Sequence, residues 1–214
     1  MREREVLGTA YGALLRDLEG IGDDVGWRQT RCVGWTVRDL VHHLLTDAQR
    51  ALVALHSPSS SLVDVDAVTY WESWQPGTVG AEAGRRGTRI MASAWTSVLP
   101  IAELYAETAG AVLIAAEERG RHDVVTSQGH TITVPDLLST LAVEATVHHL
   151  DLRLGSPRSP GLAETRRVLD GLLGRSSPIG DDVRWAMVGT GRETPSTDEL
   201  AALGEDATRL PLFG

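Results

Sequence analysis

The stretch Leu137-Leu138-Ser139-Thr140-Leu141-Ala142-Val143-Glu144-Ala145-Thr146-Val147-His148-His149-Leu150-Asp151-Leu152 sets two metal-ligand residue types into an otherwise apolar helical run. Side chains at i, i+3, i+4 and i+7 share one face of a helix, so Leu137, Leu141, Glu144, His148 and Leu152 form one stripe, joined by Leu138 and Ala145. Such a stripe faces a core. A carboxylate there is costly unless it is protonated, paired with a cation or bound to a metal. A solvated Glu–His pair at i,i+4 would contribute only about 0.3 kcal/mol; it accounts for the spacing but not for the apolar neighbours.

A second helix opening repeats the pattern. Thr36-Val37-Arg38-Asp39-Leu40-Val41-His42-His43 aligns with Thr133-Val134-Pro135-Asp136-Leu137-Leu138. Each has a Thr cap with Asp three residues on, the arrangement of a capping box, and the early carboxylate suits the positive end of the helix dipole. Pro135 fits a first turn, where its missing N–H costs nothing. His43 stands seven residues after its cap, and Glu144 and His148 stand eleven and fifteen after theirs. All three share one phase in steps of four, so two helices packed side by side can bring them to one point.

Two imidazoles and a carboxylate are the three protein ligands of a catalytic zinc site, which keeps a further position open. The same donors suit nickel, cobalt or iron. Cys32, the single cysteine, has no partner at metal-ligand spacing and reads as a small apolar filler. His42 and His149 point about 100° away from the ligand face, which leaves them behind the ligands or at the surface. Asp151, three residues after His148, is placed to accept from a ligand histidine's second nitrogen.

The segments Trp35–Leu44 and Val143–Leu152 together resemble the mycothiol-dependent maleylpyruvate isomerase family of the wider DinB-like superfamily, over roughly residues 1–155. The resemblance implies a four-helix bundle with a divalent metal, often zinc, held by His43, Glu144 and His148. It also implies a low-molecular-weight thiol, mycothiol, as cosubstrate.

The formal net charge of −9 and the lack of any basic run exclude a nucleic-acid surface. The residues Met1-Arg2-Glu3-Arg4-Glu5 open an amphipathic stretch rather than a signal sequence, no apolar run is expected to span a bilayer, and one unpaired cysteine points to the cytoplasm.

Helices are expected over 3–19, 36–55 and, kinked or divided near Pro100, 83–119, before the helix that begins near Thr133. Val124-Val125 and Thr131-Ile132-Thr133 flank a turn as a short hairpin. Tyr70, Trp71 and Trp74 are expected over the bundle end, mainly as packing, with Trp74 also a candidate for substrate contact. Arg85, Arg86 and Arg89 open the third helix, and Arg85 or Arg89 could clamp a substrate carboxylate. The run Ser156-Pro157-Arg158-Ser159-Pro160-Gly161 reads as a linker that divides a bundle over 1–155 from a small α+β domain over 156–214. That domain is expected to contain a helix at 162–173, a strand at 184–188, a helix at 197–203 and a last strand at 209–213. Gly189-Thr190-Gly191-Arg192 reads as a turn rather than a dinucleotide fingerprint, with Arg192 leaning over the site.

The chain is thus expected to be mainly α, a DinB-like bundle. The expected activity is metal-dependent and thiol-using, either S-transfer to a small electrophile or cis–trans isomerisation of an organic acid. A hydrolase using metal-bound water and a non-catalytic binder of metal or small ligand fit the same residues.

Overall fold

The computed structural model describes all residues except Met1, Gln75, Pro76, Ser156 and Arg158, so the linker reading at 156–161 falls partly outside the described residues. Helix α1 (Arg2–Leu18) buries Val6, Leu7, Ala10, Leu14 and Leu18, and a single turn, α2 (Asp23–Gly26), follows it. Helix α3 (Val37–Leu55) buries Leu40, Val41, Leu44, Leu45, Ala48 and Leu55. Its start is the expected box: Asp39 N–H donates to Thr36 Oγ1 and Asp39 Oδ2 accepts the Thr36 N–H at 2.8 Å. Helix α4 (Val79–Ala92) is separated by residues 93–98 from α5 (Leu99–Glu117). Of the kink or division expected near Pro100, the structure has the division, and Pro100 lies in the first turn of α5, where its ring satisfies the helical φ and no donor is missed.

Strands β1 (Val124–Ser127) and β2 (His130–Thr133) pair antiparallel, from Val124 opposite Thr133 to Ser127 opposite His130. Gln128 (φ 51°) and Gly129 (φ 86°) both take left-handed conformations, as a two-residue hairpin turn requires. Helix α6 (Val134–Leu152) follows directly. Thr133 Oγ1 accepts the Asp136 N–H at 3.2 Å and donates to Asp136 Oδ2 at 2.5 Å, with Pro135 in the first turn.

The four long helices form a closed ring in which α1 and α3 each pack on both α5 and α6. Outside it, α7 (Gly161–Leu173) covers α6 and α1, and α8 (Asp182–Gly189) packs on α7. Helix α6 is therefore covered on both sides. From Leu137 to Leu152 every residue except Glu144 is buried, which is why the stretch reads apolar around most of its circumference. Val168, Leu169, Trp185 and Phe213 from the C-terminal segment join the same continuous core as the bundle.

The two strands expected in this segment do not form. Residues 184–188 lie in α8, because Asp181 caps it (its Oδ1 accepts the Arg184 N–H at 2.7 Å) and an apolar run of five residues is compatible with either state. Residues 204–209 form a 3-10 helix and the residues after it belong to no strand among the described residues, Pro211 lacking a ladder donor. The segment is helical among the described residues, with α9 (Thr197–Leu203) as expected. Against the expectation for the membrane, α5 is long and apolar enough to cross one by length and composition. In this fold it buries Ile101, Tyr105, Ala109 and Val112 in the bundle.

One helix departs from the pattern of buried faces. Of α4 only Ala92 is buried, and its sequence holds Gly80, Gly84 and Gly87. Each helical glycine is about 1 kcal/mol less favourable than alanine.

Candidate metal centre

His43 projects from α3 and Glu144 and His148 from α6, one turn apart. Glu144 Oε1 lies 2.9 Å from His43 Nε2 and 3.3 Å from His148 Nε2. The two imidazoles meet edge to face, with centroids 4.8 Å apart. Ligand bonds of about 2.0–2.1 Å in a tetrahedron place neighbouring donors about 3.3 Å apart, so the spacing seen here accepts a small divalent ion with little movement. The donor set fits such an ion chemically as well: two neutral-capable imidazoles and one carboxylate, on side chains that are 19, 21 and 9 % exposed in the order His43, Glu144, His148.

The charges explain how these groups coexist. Burial alone would raise the Glu144 carboxyl, but His148 and then His43 hold it well below the usual range. Burial likewise works against a charged His148, yet Glu144, Asp151 and Cys32 hold it well above its usual value. His43 goes the other way, lowered chiefly by burial. Glu144 and Asp151 flank His148 with two carboxylates, an electrostatic setting that attracts a cation.

Behind His148 stands Asp151, fully buried. His148 Nδ1–H donates to Asp151 Oδ2 at 2.9 Å, which turns Nε2 toward Glu144. The same oxygen accepts from Cys32 Sγ at 3.2 Å and from Arg192 Nη2 at 3.1 Å. Burial would raise the Asp151 carboxyl, but His148 and Arg192 keep it far below the usual range. Cys32, His148 and Asp151 also lie close enough to hold an ion. With Oδ2 already committed to three donors, that trio reads as the support of the first. Cys32 is thus a polar contact rather than the apolar filler expected, and its partner lies 119 residues away, beyond the reach of any local spacing. The Arg31 N–H adds a bond to the Asp151 carbonyl at 3.0 Å.

The three donors line a cavity of about 520 Å³. Trp35 stands beside His43, centroids 5.1 Å apart. Tyr70 and Trp71 are buried and Trp74 is 41 % exposed; all three line the cavity, so the aromatic cluster both packs and forms a wall. Phe213 stacks on Trp71 at 4.2 Å. The hairpin turn contributes Ser127 and Gln128, whose Nε2 donates to Tyr70 Oη at 2.7 Å. Arg85 and Arg192 line the cavity as well, whereas Arg89 does not. His149 is turned away, with its Nε2 2.6 Å from Asp17 Oδ2, and so supports no ligand. Burial and then His43 push the His42 imidazole below its usual value, and its Nδ1 has no hydrogen-bond partner among the described residues.

Asp47 and Arg50 are among the cavity residues that escaped the sequence reading. Asp47 lies one turn beyond His43 on α3, and burial with the Glu144 charge pushes its carboxyl up to about 7. Arg50 lies nearby, an attraction that partly offsets this rise. The i+4 step from His43 is the signal that could have found Asp47.

The sequence profile described as the mycothiol maleylpyruvate isomerase N-terminal domain matches residues 7–153. Among solved structures, the chain is similar to that of the mycothiol-dependent maleylpyruvate isomerase, with a TM-score of 0.60 and 18% identity over 80% of this chain and 68% of the other. A histidine-to-alanine mutant of that isomerase matches to the same extent. A search of curated proteins finds no match.

Proposed function

Because the chain belongs to the mycothiol maleylpyruvate isomerase family over residues 7–153, we propose that it is a metal-dependent enzyme that uses a low-molecular-weight thiol, mycothiol in cells that make it, on a small organic-acid electrophile. The observation that carries the reading is the convergence of His43 Nε2, Glu144 Oε1 and His148 Nε2 on the wall of a cavity large enough for a small molecule. These three residues would hold the metal, zinc being the first choice. A divalent metal bound there supplies Lewis acidity, which lowers a thiol's pKa from about 8.5 or polarises a carbonyl.

The chain's own groups divide the remaining work. Asp151 holds the proton on His148 Nδ1 and so keeps Nε2 free to act as a donor atom. Arg85 and Arg50 offer guanidinium groups to a substrate carboxylate. Asp47, with a carboxyl near 7, can hold or release a proton at neutral pH. The aromatic wall excludes water from the bound acid. In isomerisation the thiolate sulfur bonds to the β-carbon of a cis-enone acid, the π pair moves to the carbonyl oxygen, the carbon–carbon bond rotates, and the pair returns to expel the thiolate. In S-transfer the α-carbon is protonated and the adduct is released.

The test is metal content of purified protein followed by rates with a panel of thiols that includes mycothiol. About one divalent metal per chain is expected, lost in His43→Ala and His148→Ala, together with metal- and thiol-dependent turnover that Glu144→Gln abolishes. Full occupancy in both histidine variants would sink the metal centre. Turnover of thiol-free esters or amides instead would mark a hydrolase, and tight ligand binding without any turnover a binding protein.

A further inference from the structure

We infer that Asp47 is the general acid that protonates the α-carbon of the thiol adduct, and so turns the chain toward S-transfer rather than cis–trans isomerisation; the inference rests on the thiol-using reading above and narrows it. His43, Asp47, Arg50 and Ala51 fall at i, i+4, i+7 and i+8 of α3, one helical face, and all four line the cavity. That face thus runs from a candidate metal donor through a carboxyl to a guanidinium within about two turns. Neither the Asp47 carboxyl nor the Arg50 guanidinium has a hydrogen bond or ion pair among the described residues. Asp47 is half-buried, where a carboxyl without a protein partner is costly, and a molecule bound in the cavity gives it a use.

The other acidic side chains of the cavity are already engaged. Glu144 lies between His43 and His148, and Cys32 donates to Asp151. Tyr70 Oη accepts from Gln128 at 2.7 Å, and burial pushes its phenol far above the ordinary value, so it gives up a proton less readily than a phenol in water. The lining arginines keep their protons throughout the working pH range. Burial, the larger cause, and then the Glu144 charge raise the Asp47 carboxyl, which suits a group that carries a proton at neutral pH and delivers it.

The product turns on such a group. Once the thiolate sulfur has bonded to the β-carbon, the π pair rests on the carbonyl oxygen as an enolate. With no proton donor at the α-carbon the pair returns and expels the thiolate, which gives the isomer. With Asp47 there, the enolate pair takes the carboxyl proton to form the α C–H bond, the carbonyl re-forms, and Asp47 is left a carboxylate. The thiol gives its proton to water as it becomes thiolate, and Asp47 takes one back from water afterwards. The sum is addition of S–H across the double bond.

The test is the product mixture that the full chain, supplied with zinc, makes from cis-β-acetylacrylate and mycothiol, read by proton NMR in water and in deuterium oxide. The wild type should give mainly the thioether, carrying in deuterium oxide one deuterium on a single face of the carbon next to the ketone. Asp47→Asn should lower the ratio of thioether to trans acid at least about a hundredfold, and Asp47→Glu should restore part of it. Deuterium shared equally between the two faces of the wild-type thioether would overturn the inference, whatever the variants do. So would an unchanged ratio in folded Asp47→Asn, an equal loss of both products there, or the expected shift in Tyr70→Phe instead. A wild type that gives only thiol-dependent isomerisation would remove this inference and leave the earlier reading standing, whereas a wild type without thiol-dependent turnover would remove both.

Discussion

Asp151 shows how much a single buried carboxylate organises. It is fully buried yet charged, and it accepts from His148, Cys32 and Arg192 at once. Asp151→Asn should therefore act twice. Stability should fall by about 3 kcal/mol, because Arg192 is left with an uncompensated charge, and metal affinity should fall about 10- to 100-fold, because His148 loses the partner that fixes its ring. Urea unfolding measures the first and competitive metal titration the second; loss of stability with unchanged metal affinity would confine Asp151 to the fold. Cys32→Ser should spare both within about 0.5 kcal/mol, since a hydroxyl can make the same bond to Asp151. The convergence of His43, Glu144 and His148 was legible in the sequence because each sits on a strongly periodic helix among leucines and alanines, where a polar residue stands out. Cys32 and Arg192 were not legible as partners of Asp151. Each lies outside a long helix, 119 and 41 residues away, and the contact exists only once the chain has folded.

At the level of elements, the caps and the α6–α7 junction carry predictions of their own. Thr36→Ala removes one half of the box that starts α3 and should lower stability by about 1 kcal/mol, seen as a shift in the urea midpoint without a change in slope. Glu164 on α7 is buried, accepts from Ser139 on α6, and takes Arg167 at 2.7 Å. Burial would raise its carboxyl, but Arg167 and Ser139 hold it below the ordinary 4.5. The folded state thus binds this proton less readily than the unfolded chain, so its contribution is whole above about pH 4.5 and is lost as pH falls through the folded value. Glu164→Gln should flatten the acid limb of the stability profile in that window and leave the slope between pH 6 and 8 as it is; an unchanged acid limb would show that other carboxylates govern it. Helices α1, α3 and α6 could be read almost to the residue because caps, glycine breaks and apolar periodicity agree. Residues 184–188 could not, since five apolar positions suit a strand or a helix and the deciding cap, Asp181, precedes the run.

Taken as a whole molecule, the bundle and the C-terminal helices share one continuous apolar core that is built without His43, Glu144 or His148. Chelation should therefore lower the melting temperature by only a few degrees, with the far-ultraviolet circular dichroism of the folded chain retained; collapse of that signal on adding EDTA would mean the ion is structural. The closed ring of four helices was legible from four apolar stripes, but the wrapping of α6 by α7 was not, because the sequence seemed to divide at the Pro- and Ser-rich segment after Gly155. That wrapping has a consequence in time. Helix α6 has neighbours on both sides, so its amides should be among the last to exchange with deuterium, opening only when the whole chain opens. Glu144 and His148 would then keep their mutual register through every local fluctuation that frays α4, so that a ligand could come and go many times while two of the three donors stay fixed relative to each other.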